Sequence, residues 1–360
     1  MQIPNVNMPF FLKIESGVRK RIIPLLFEYF SPDTNVLLLS DEIVYKKYGN
    51  LIYEQIKAHF NLKGIKIIKT NNLQECFKLI KILLGKNIDL VIGLGGGRVL
   101  DMGKQATFMS KKKFISIPTA IAHDGIASPI AVLKTNKGVK SLGSHIPSGI
   151  IIDLDIIIDS PKELTKAGIG DTLSNYTAIL DWKYAASRQK IKTNDFAILL
   201  SITAFNALFN YENPDLNDVN FLRQLAESVI LSGLAMNMAG NSRPCSGSEH
   251  LISHSMDTFG KNNLHGIQVA TASIISAYLH GKNYLRLKRF LDKFGIPYHL
   301  SQLGFSKEDF FQIMQNAIGT RPNRYTILND TDLSDDNLNI IYNKLYNENG
   351  RNNFSSRSRI

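Results

Sequence analysis

The chain alternates short apolar, β-branched runs with amphipathic segments from residue 34 to about residue 160, and the alternation then stops. Residues 36–39, 64–68, 88–93 and 114–118 have the composition of short buried strands, whereas residues 73–85 place apolar side chains at helical spacing. Strands that alternate with helices form βαβ units and a mainly parallel sheet, which binds ligands at the carboxyl ends of its strands. Residues 1–160 are therefore predicted to form an α/β domain with a Rossmann-like parallel sheet.

Beyond Ser160 the pattern changes to long helical segments. They are expected near residues 171–187, 194–210, 219–239, 246–258 and 266–281. The sequence Asp159-Ser160-Pro161 marks the boundary, because proline cannot continue a strand ladder and suits the start of a helix. We expect an all-α domain over residues 161–346, followed by a polar, basic and disordered tail at 347–360.

A glycine-rich turn connects the strand predicted to end at Ile92 with a predicted helix. Its sequence is Gly93-Leu94-Gly95-Gly96-Gly97-Arg98-Val99-Leu100-Asp101. Without β-carbons the backbone can approach a phosphate, and the N-terminus of the helix directs N–H groups and its positive dipole at the anion. Arg98 stands where the Rossmann fingerprint has its third glycine, and its charge favours a pyrophosphate; a tight turn without a ligand is the alternative. The first domain is therefore predicted to bind a dinucleotide.

Two further features lie at the same predicted edge of the sheet. Asp41 follows the strand at 36–39, where a carboxylate can bind ribose hydroxyls, although capping of the next helix explains it equally well. A segment rich in small and polar residues, 118–129, follows another strand and hangs over its carboxyl end. Connections of this length and composition are often functional, although plain loop residues are the alternative.

Three of the eight histidines lie within sixteen residues, at positions 250, 254 and 265. His250 and His254 share one helix face because they are four residues apart, and His265 stands at the predicted start of the next helix. Imidazoles placed in this way can converge on a metal ion or a substrate, although any single histidine is more simply a packed core or surface residue. Asp171, at the predicted turn into the first long helix, is either the carboxylate ligand or an N-cap. One aspartate and two histidines would leave an open coordination position, as catalytic zinc requires.

The net charge of +11 arises from 42 Lys+Arg against 31 Asp+Glu and favours an anionic partner. The basic residues are scattered, with tight runs only at 19–21 and 111–113 and without interleaved aromatic side chains. This distribution argues against nucleic-acid binding and favours a small phosphorylated substrate.

Cysteine content and hydropathy indicate the compartment. Only Cys76 and Cys245 are present, which excludes a disulfide framework and a thiolate zinc site and indicates a reducing environment. The first residues lack a secretory pattern, and no apolar run approaches the roughly 18 residues of a membrane span. A cytoplasmic protein without a membrane span is expected.

Taken together, the motifs GGGRVxDxxK, PTxxxHDGIASP, GIGDxLS and SRPxSGSEHxxxH, followed by HG, resemble those of sn-glycerol-1-phosphate dehydrogenases. That family belongs to the iron-containing alcohol dehydrogenase and dehydroquinate synthase-like superfamily. The resemblance runs in order from about Asp41 to about His280 and so spans both predicted domains. The motifs HDGIASP and SGSEH are specific within the superfamily, whereas the final 80 residues contribute little.

The resemblance implies a zinc enzyme that reduces dihydroxyacetone phosphate to sn-glycerol 1-phosphate with NADH or NADPH. By position, Asp171, His250 and His265 correspond to the zinc ligands. In many iron-dependent relatives a further histidine ligand stands four residues after the metal aspartate. This chain has Asn175 there, which favours the three-ligand zinc site. The cofactor-binding positions correspond to Gly95, Gly96, Gly97, Arg98, Val99, Thr119, Ala122 and Ser128.

The resemblance also implies the catalytic and substrate-binding residues, namely Asp124, Asp171 and His254. His254, or water linked to the cofactor ribose, is the expected proton donor, and Asp124 would hold the substrate hydroxyl. Apart from the resemblance, the substrate phosphate needs cationic partners, and Arg243, just before the SGSEH helix, is our hypothesis for one of them. Asp41 would repel a 2′-phosphate and so favour NADH over NADPH. A homo-oligomer is expected.

Other functions remain open for a chain of this kind. A glycerol dehydrogenase acting on unphosphorylated polyol and a dehydroquinate synthase-like cyclase would share the fold, the metal and NAD. A metal-binding relative without activity is a third alternative, against which the complete set of Asp171, His250, His254 and His265 argues.

Overall fold

The computed structural model describes residues 8–136, 138–212 and 214–347. From residue 348 onward, the tail expected at 347–360 lies outside the described residues. Within them the strands are β1 Phe11–Glu15, β2 Asn35–Ser40, β3 Asn61–Ile67, β4 Leu90–Gly95, β5 Lys113–Pro118, β6 Ile130–Thr135, β7 Gly138–Gly143 and β8 Gly149–Asp153. The α-helices of the first half are α1 Ile22–Phe27, α2 Glu42–Val44, α3 Asn50–His59, α4 Leu73–Gly85, α5 Gly97–Ser110 and α6 Leu154–Ile158. Those of the second half are α7 Lys162–Arg188, α8 Asp195–Phe209, α9 Val219–Ala239, α10 Ser248–Asp257, α11 His265–Leu279, α12 Tyr284–Asp292, α13 Lys307–Thr320 and α14 Asp335–Tyr342.

Six strands form one parallel sheet in the order β1-β8-β5-β4-β2-β3. Successive residues of β2 enter opposite cores: Leu37 and Leu39 pack with the cluster that includes α4 and α5, whereas Val36 and Leu38 pack with that of α1 and α3. Burial of both faces explains why the strands read as continuous apolar runs rather than alternating ones. The predicted Rossmann-like parallel sheet is confirmed.

The order of the strands creates a switch point between β2 and β4. From β2 the chain continues to β3 on one side, whereas from β4 it continues to β5 on the other. At this point the Ser40 hydroxyl at the end of β2 donates a 2.8 Å hydrogen bond to the carbonyl of Leu94 in β4. A crevice outside the carboxyl ends of the strands is expected there, and it is where doubly wound sheets bind their ligands.

Two parts of the sheet structure are not predicted by the sequence analysis. β1 and β8 pair in parallel at one side of the sheet, and β6 and β7 form an antiparallel hairpin of their own. β7 is exposed along most of its length, so it lacks the apolar run by which the buried strands are identified.

The second half is helical, because no strand follows Asp153 among the described residues. α7 begins directly after Pro161, and the predicted helices at 194–210, 219–239, 246–258 and 266–281 correspond closely to α8, α9, α10 and α11. The predicted fold class, a parallel α/β half followed by an all-α half, is confirmed. Among the helices described, none combines the length and apolar composition of a bilayer span.

Candidate active site

Asp171 lies well inside α7, which begins at Lys162, so the alternative that it caps a helix is wrong. Two glycines just before it allow close contacts of α7 with other segments. A Cβ atom on Gly168 would clash with the carbonyl oxygen of Ile121, and one on Gly170 with that of Gly266. These close approaches place Asp171 beside both the loop that follows β5 and the start of α11.

Asp171, His250 and His265 converge on one point. His250 lies in the first turn of α10, and His265 is the first residue of α11. The Nε2 atoms of both histidines lie 3.8 Å from Asp171 Oδ1, and the candidate ligand atoms of all three residues lie within 4.8 Å of one another. Zinc takes nitrogen and oxygen ligands at about 2.0–2.2 Å, so a single ion fits a set with this spacing.

Each of the two histidines uses its Nδ1 atom elsewhere, which leaves Nε2 for the shared point. His250 Nδ1 lies 2.9 Å from Glu249 Oε1, and this carboxylate also accepts hydrogen bonds from the Gly247 amide and the Thr177 hydroxyl. A carboxylate behind a ligating histidine fixes the orientation and tautomer of the ring.

His265 is held in a similar way, although through a hydroxyl group. Its Nδ1 atom lies 3.4 Å from Ser253 Oγ, which donates to Gln268 Oε1 at 3.0 Å. The ring nitrogen that faces Asp171 is therefore again Nε2.

The electrostatics of the cluster fit a cation. Burial raises the pKa of Asp171 well above its ordinary value, and the nearby Asp124 raises it further. Burial lowers the pKa of His250 well below its ordinary value and that of His265 to about 3. The imidazoles are therefore neutral, which is the form that binds metals, and a bound cation would favour the ionised carboxylate.

Asp124 approaches the cluster from the loop after β5. Its backbone N–H donates to Asp171 Oδ2 at 2.9 Å, so the two oxygens of Asp171 have separate tasks. Burial raises the pKa of Asp124 above its ordinary value, against the opposing charges of His123 and Lys104.

Lys104 of α5 holds this loop in place. It is fully buried, lies 3.1 Å from Asp101 Oδ1 and donates to the carbonyl of Gly125 at 2.6 Å. It also donates to the carbonyls of Ser128 and Ile130. One ammonium group thus binds three carbonyls of the segment that follows Asp124.

His254 lies next to the metal cluster without belonging to it. Its ring centroid is 6.3 Å from that of His250 and 6.0 Å from that of His265. Its Nδ1 atom lies 3.7 Å from Asp257, whereas its buried Nε2 atom has no hydrogen-bond partner among the described residues. The four-residue spacing therefore brings one histidine to Asp171 and leaves the other with a free ring nitrogen.

The glycine-rich turn lies at the end of β4, with Gly96 as the residue before α5. A Cβ atom on Gly95 would clash with Val99, and one on Gly97 with the ring of His123, whereas one on Gly96 would meet nothing within 4 Å. Gly96 therefore faces open space at the N-terminus of a 14-residue helix, which is the geometry that accepts an anion.

The other expected cofactor positions surround this turn. The Thr119 amide donates to the Gly95 carbonyl at 3.1 Å, and the half-buried Ala122 lies in the same loop. Ser128 is buried, and its amide donates to the Asp124 carbonyl at 2.9 Å. Arg98 is exposed and donates to the Lys69 carbonyl at 3.0 Å.

Asp41 follows β2, across the switch point from the glycine turn. Its Oδ1 atom accepts the Val44 amide at 2.9 Å, so it caps α2. The capping alternative is confirmed, and contact with a ribose stays a prediction.

Asn175 stands where many iron-dependent relatives have a further ligand, and Arg243 is the residue expected to bind the substrate phosphate. Asn175 is fully buried, and its Nδ2 atom donates to the Ser232 hydroxyl at 2.8 Å and to the Ser201 carbonyl at 3.3 Å. Its amide nitrogen is thus committed to α8 and α9. Arg243 is half-buried and donates to the Tyr325 carbonyl at 3.2 Å.

Five residues near the site were not assigned roles from the sequence. Asp101 and Lys104 belong to the motif GGGRVxDxxK and Glu249 to SGSEH, so their place in these motifs could have indicated a role near the site. Arg321 and Arg324, which bind the loop before α10, stand in the C-terminal part that shows no motif.

Comparison with known proteins identifies the family and agrees with the fold. Residues 13–161 match the model of the iron-containing alcohol dehydrogenase family. The glycerol-1-phosphate dehydrogenase of Aeropyrum pernix, named for NAD(P)+, is 34% identical over 331 residues, covering 91% of this chain and 94% of the relative. The glycerol-1-phosphate dehydrogenase of Sulfolobus acidocaldarius is 36% identical over 331 residues, which cover 91% of this chain and 94% of the relative.

The parallel α/β half, the all-α half and the match over residues 13–161 thus define a member of the iron-containing alcohol dehydrogenase superfamily. Within it, the chain belongs to the glycerol-1-phosphate dehydrogenase family.

Solved structures show the same fold at lower identity. A probable glycerol dehydrogenase from Sinorhizobium meliloti has a TM-score of 0.76 at 18% identity, covering 94% of this chain and 96% of that chain. The sulfoacetaldehyde reductase of Bifidobacterium kashiwanohense, solved with NAD+, has a TM-score of 0.75 at 15% identity, covering 96% and 99%. At such identities the likeness establishes the fold alone.

Proposed function

We propose that this protein reduces dihydroxyacetone phosphate to sn-glycerol 1-phosphate with NADH or NADPH at a zinc site formed by Asp171, His250 and His265. The observation that carries the proposal is the convergence of these three side chains, each Nε2 atom lying 3.8 Å from Asp171 Oδ1. The relatives from Aeropyrum pernix and Sulfolobus acidocaldarius, named glycerol-1-phosphate dehydrogenases, support the choice of reaction.

The donor set fits zinc better than a hard cation such as magnesium. Two neutral imidazoles and one carboxylate are typical zinc ligands, and three protein ligands leave a position for substrate. Bound zinc would act as a Lewis acid that polarises the substrate carbonyl. Glu249 would keep the His250 ring in the ligating tautomer through its 2.9 Å contact with Nδ1.

The cofactor is proposed to bind along the carboxyl edge of β2 and β4. Its pyrophosphate would lie against Gly96 and the N-terminus of α5, where a Cβ atom would meet nothing within 4 Å. Asp41, at the end of β2, is the residue proposed to bind the adenosine ribose and to favour NADH. Gly95, Gly97, Arg98 and Val99 of the turn, and Thr119, Ala122 and Ser128 of the next loop, are the other proposed cofactor positions.

Asp124 and His254 are proposed to act on the substrate. Asp124 is fixed by the contact between its backbone and Asp171 Oδ2, so its side chain is positioned to hold a substrate hydroxyl and fix which carbonyl face accepts hydride. His254 has an Nε2 atom without a partner among the described residues, which is available to deliver the proton that the reduced carbonyl oxygen requires. Arg243 is proposed to bind the substrate phosphate.

The experiment that tests the reaction is product analysis. Purified, zinc-reconstituted protein is incubated with NADH and dihydroxyacetone phosphate, and NADH consumption is compared with the amount and enantiomer of glycerol phosphate. We expect equimolar NADH loss and product, all of it sn-glycerol 1-phosphate. The opposite enantiomer, or turnover of a cyclase substrate without net NADH loss, would contradict the proposal.

A further inference from the structure

Three arginines cluster beside the loop that leads into α10. Arg243 lies within that loop, Arg321 directly follows α13, and Arg324 lies in the next turn. All three are half-buried. Burial and the charges of Arg321 and Arg243 lower the pKa of Arg324 to about 9, so the three guanidinium groups lie within electrostatic range of one another.

Two serines hold Arg321 and Arg324 against the loop. Arg321 Nη1 lies 3.5 Å from Ser242 Oγ and 3.3 Å from Ser246 Oγ. Arg324 Nη2 donates to the same Ser242 hydroxyl at 2.8 Å, and its Nη1 atom donates to the Ser246 carbonyl at 2.8 Å. The acceptors of both guanidinium groups are therefore neutral, and those of Arg321 are distant.

Within the part of the chain that the structure describes, the three guanidinium groups have no carboxylate in direct contact. Among residues 8–136, 138–212 and 214–347, no carboxylate lies within the 4.0 Å ion-pair distance of the three guanidinium groups. Glu249 acts on Arg321 and Arg324, and Asp181 acts on Arg243 and Arg324, only at longer range. The Glu249 oxygens accept from the Gly247 amide and the Thr177 hydroxyl, and the Asp181 oxygens accept the amides of Ser248 at 2.6 Å and Ile327 at 2.7 Å. Buried like charges are costly unless an anion compensates them.

Arg321 connects the cluster to the metal site. Its Nη1 atom lies 3.3 Å from the hydroxyl of Ser246, which stands four residues before the proposed ligand His250. Its Nη2 atom also donates to Ser141 Oγ of the β6–β7 hairpin at 3.2 Å. An anion bound here would therefore lie close to a carbonyl held at the metal site.

We propose that Arg321 and Arg324, with Arg243 and the Ser242 and Ser246 hydroxyls, form the receptor for the phosphate of a small phosphate monoester. This inference rests on the proposed function and extends it, because the proposed function names only Arg243 as a partner of the phosphate. Guanidinium groups suit this task, since they donate two parallel hydrogen bonds to a phosphate. When a phosphate binds, charge-assisted hydrogen bonds to its oxygens would replace the long contacts of Arg321 with the two serine hydroxyls.

A purely structural role is the competing explanation. The same hydrogen bonds attach residues 321–326 to the loop before α10, so their loss could loosen that loop. Arg321→Gln is the preferred variant, because the contacts of Arg321 with the serines are the long ones. Arg324→Lys keeps the charge and removes only the planar fork. Arg286→Gln, an exposed residue that contacts Phe209 on α8, is the matched control.

The first readout is binding of inorganic phosphate, measured as the rise in Tm at constant ionic strength. Ligand binding to the folded state raises Tm, whereas general exclusion of phosphate from the surface acts equally on all variants. We expect the wild type and Arg286→Gln to show the same rise and Arg321→Gln a smaller one. An equal rise in all three proteins would overturn the assignment.

The second readout is substrate preference in the zinc-reconstituted enzyme. We expect Arg321→Gln and Arg324→Lys each to lower kcat/KM for dihydroxyacetone phosphate roughly 10- to 100-fold more than kcat/KM for dihydroxyacetone, from the strength of hydrogen bonds to charged groups. Equal losses with both substrates would indicate the structural role and overturn the proposal.

The two proposals fail in distinguishable ways. A wild-type protein without preference for the phosphate ester would contradict the proposed function. A wild-type preference that survives in both Arg321→Gln and Arg324→Lys would contradict the phosphate receptor alone.

Discussion

Gly170 of α7 and Gly266 of α11 lie against each other so closely that a Cβ atom on Gly170 would clash with the Gly266 carbonyl oxygen. A Cβ atom on Gly266 would in turn clash with the carbonyl of Ala167. Asp171 follows one of these glycines and His265 precedes the other, so the helix contact sets the distance between a carboxylate and an imidazole. The proposed metal site therefore depends on the absence of two side chains.

Replacement of Gly170 by alanine should separate the two helices. We expect Gly170→Ala to lower the free energy of unfolding by about 1–3 kcal/mol, the usual effect of overpacking, and to weaken zinc binding. Gly319→Ala is the control, because a Cβ atom there meets nothing within 4 Å and the residue lies in α13. Denaturant unfolding and zinc titration measure both effects, and unchanged zinc affinity in Gly170→Ala would contradict this account.

Glu249 should control metal affinity without touching the metal. Glu249→Gln replaces the carboxyl oxygen that faces His250 Nδ1 at 2.9 Å with a weaker amide acceptor. We expect zinc affinity to fall by roughly 10- to 100-fold, as for other partners of ligating histidines. Competition with a chromophoric chelator measures the affinity, with the exposed Glu54→Gln as control. Equal affinities would show that Glu249 has no positioning role.

The buried pair of Asp101 and Lys104 should stabilise the loop that carries Asp124. Lys104→Met leaves a buried carboxylate and three carbonyls without their donor, and we expect a loss of about 3–5 kcal/mol in the free energy of unfolding. The double variant Asp101→Asn/Lys104→Met should recover part of this loss, because the unpaired charge is gone. Denaturant unfolding of the wild type, Asp101→Asn, Lys104→Met and the double variant tests the coupling, and strict additivity would contradict it.

Gly96 should be required for the cofactor rather than for the fold. Its backbone is extended at φ −81° and ψ −174°, and a Cβ atom would meet nothing within 4 Å. We therefore expect Gly96→Val to lower the Tm only by the modest cost of a valine at the N-cap of α5 and to raise the Kd for NADH. Fluorescence titration with NADH measures the affinity. An unchanged Kd would place the pyrophosphate elsewhere.

The sequence predicts the parallel sheet and the helical half because both depend on local periodicity. It also identifies the three proposed metal ligands, since His250 and His265 stand beside helix starts and their motifs are specific. It places Asp171 wrongly at a helix start, because a turn of the form Gly-x-Gly-Asp resembles a cap when the helix before it is not recognised.

Contacts between distant segments are what the sequence does not reveal. Arg321 reaches Ser246 over 75 residues and Ser141 over 180 residues, and no local pattern encodes such contacts. The hairpin β6–β7 is likewise missed, because β7 is mostly exposed and lacks an apolar run. Sequence motifs thus locate the residues proposed as metal ligands, whereas the fold adds residues such as Arg321 that contact the site from distant parts of the chain.

The most direct test compares kcat/KM for dihydroxyacetone phosphate and dihydroxyacetone in the wild type and Asp171→Asn, with bound zinc measured in the same samples. We predict bound zinc and a strong preference for the phosphate ester in the wild type. In Asp171→Asn we predict loss of the zinc and a fall in activity of roughly 100-fold or more, since transition-state charge stabilisation is lost. Full activity in Asp171→Asn without zinc, or equal wild-type activity with both substrates, would contradict the account.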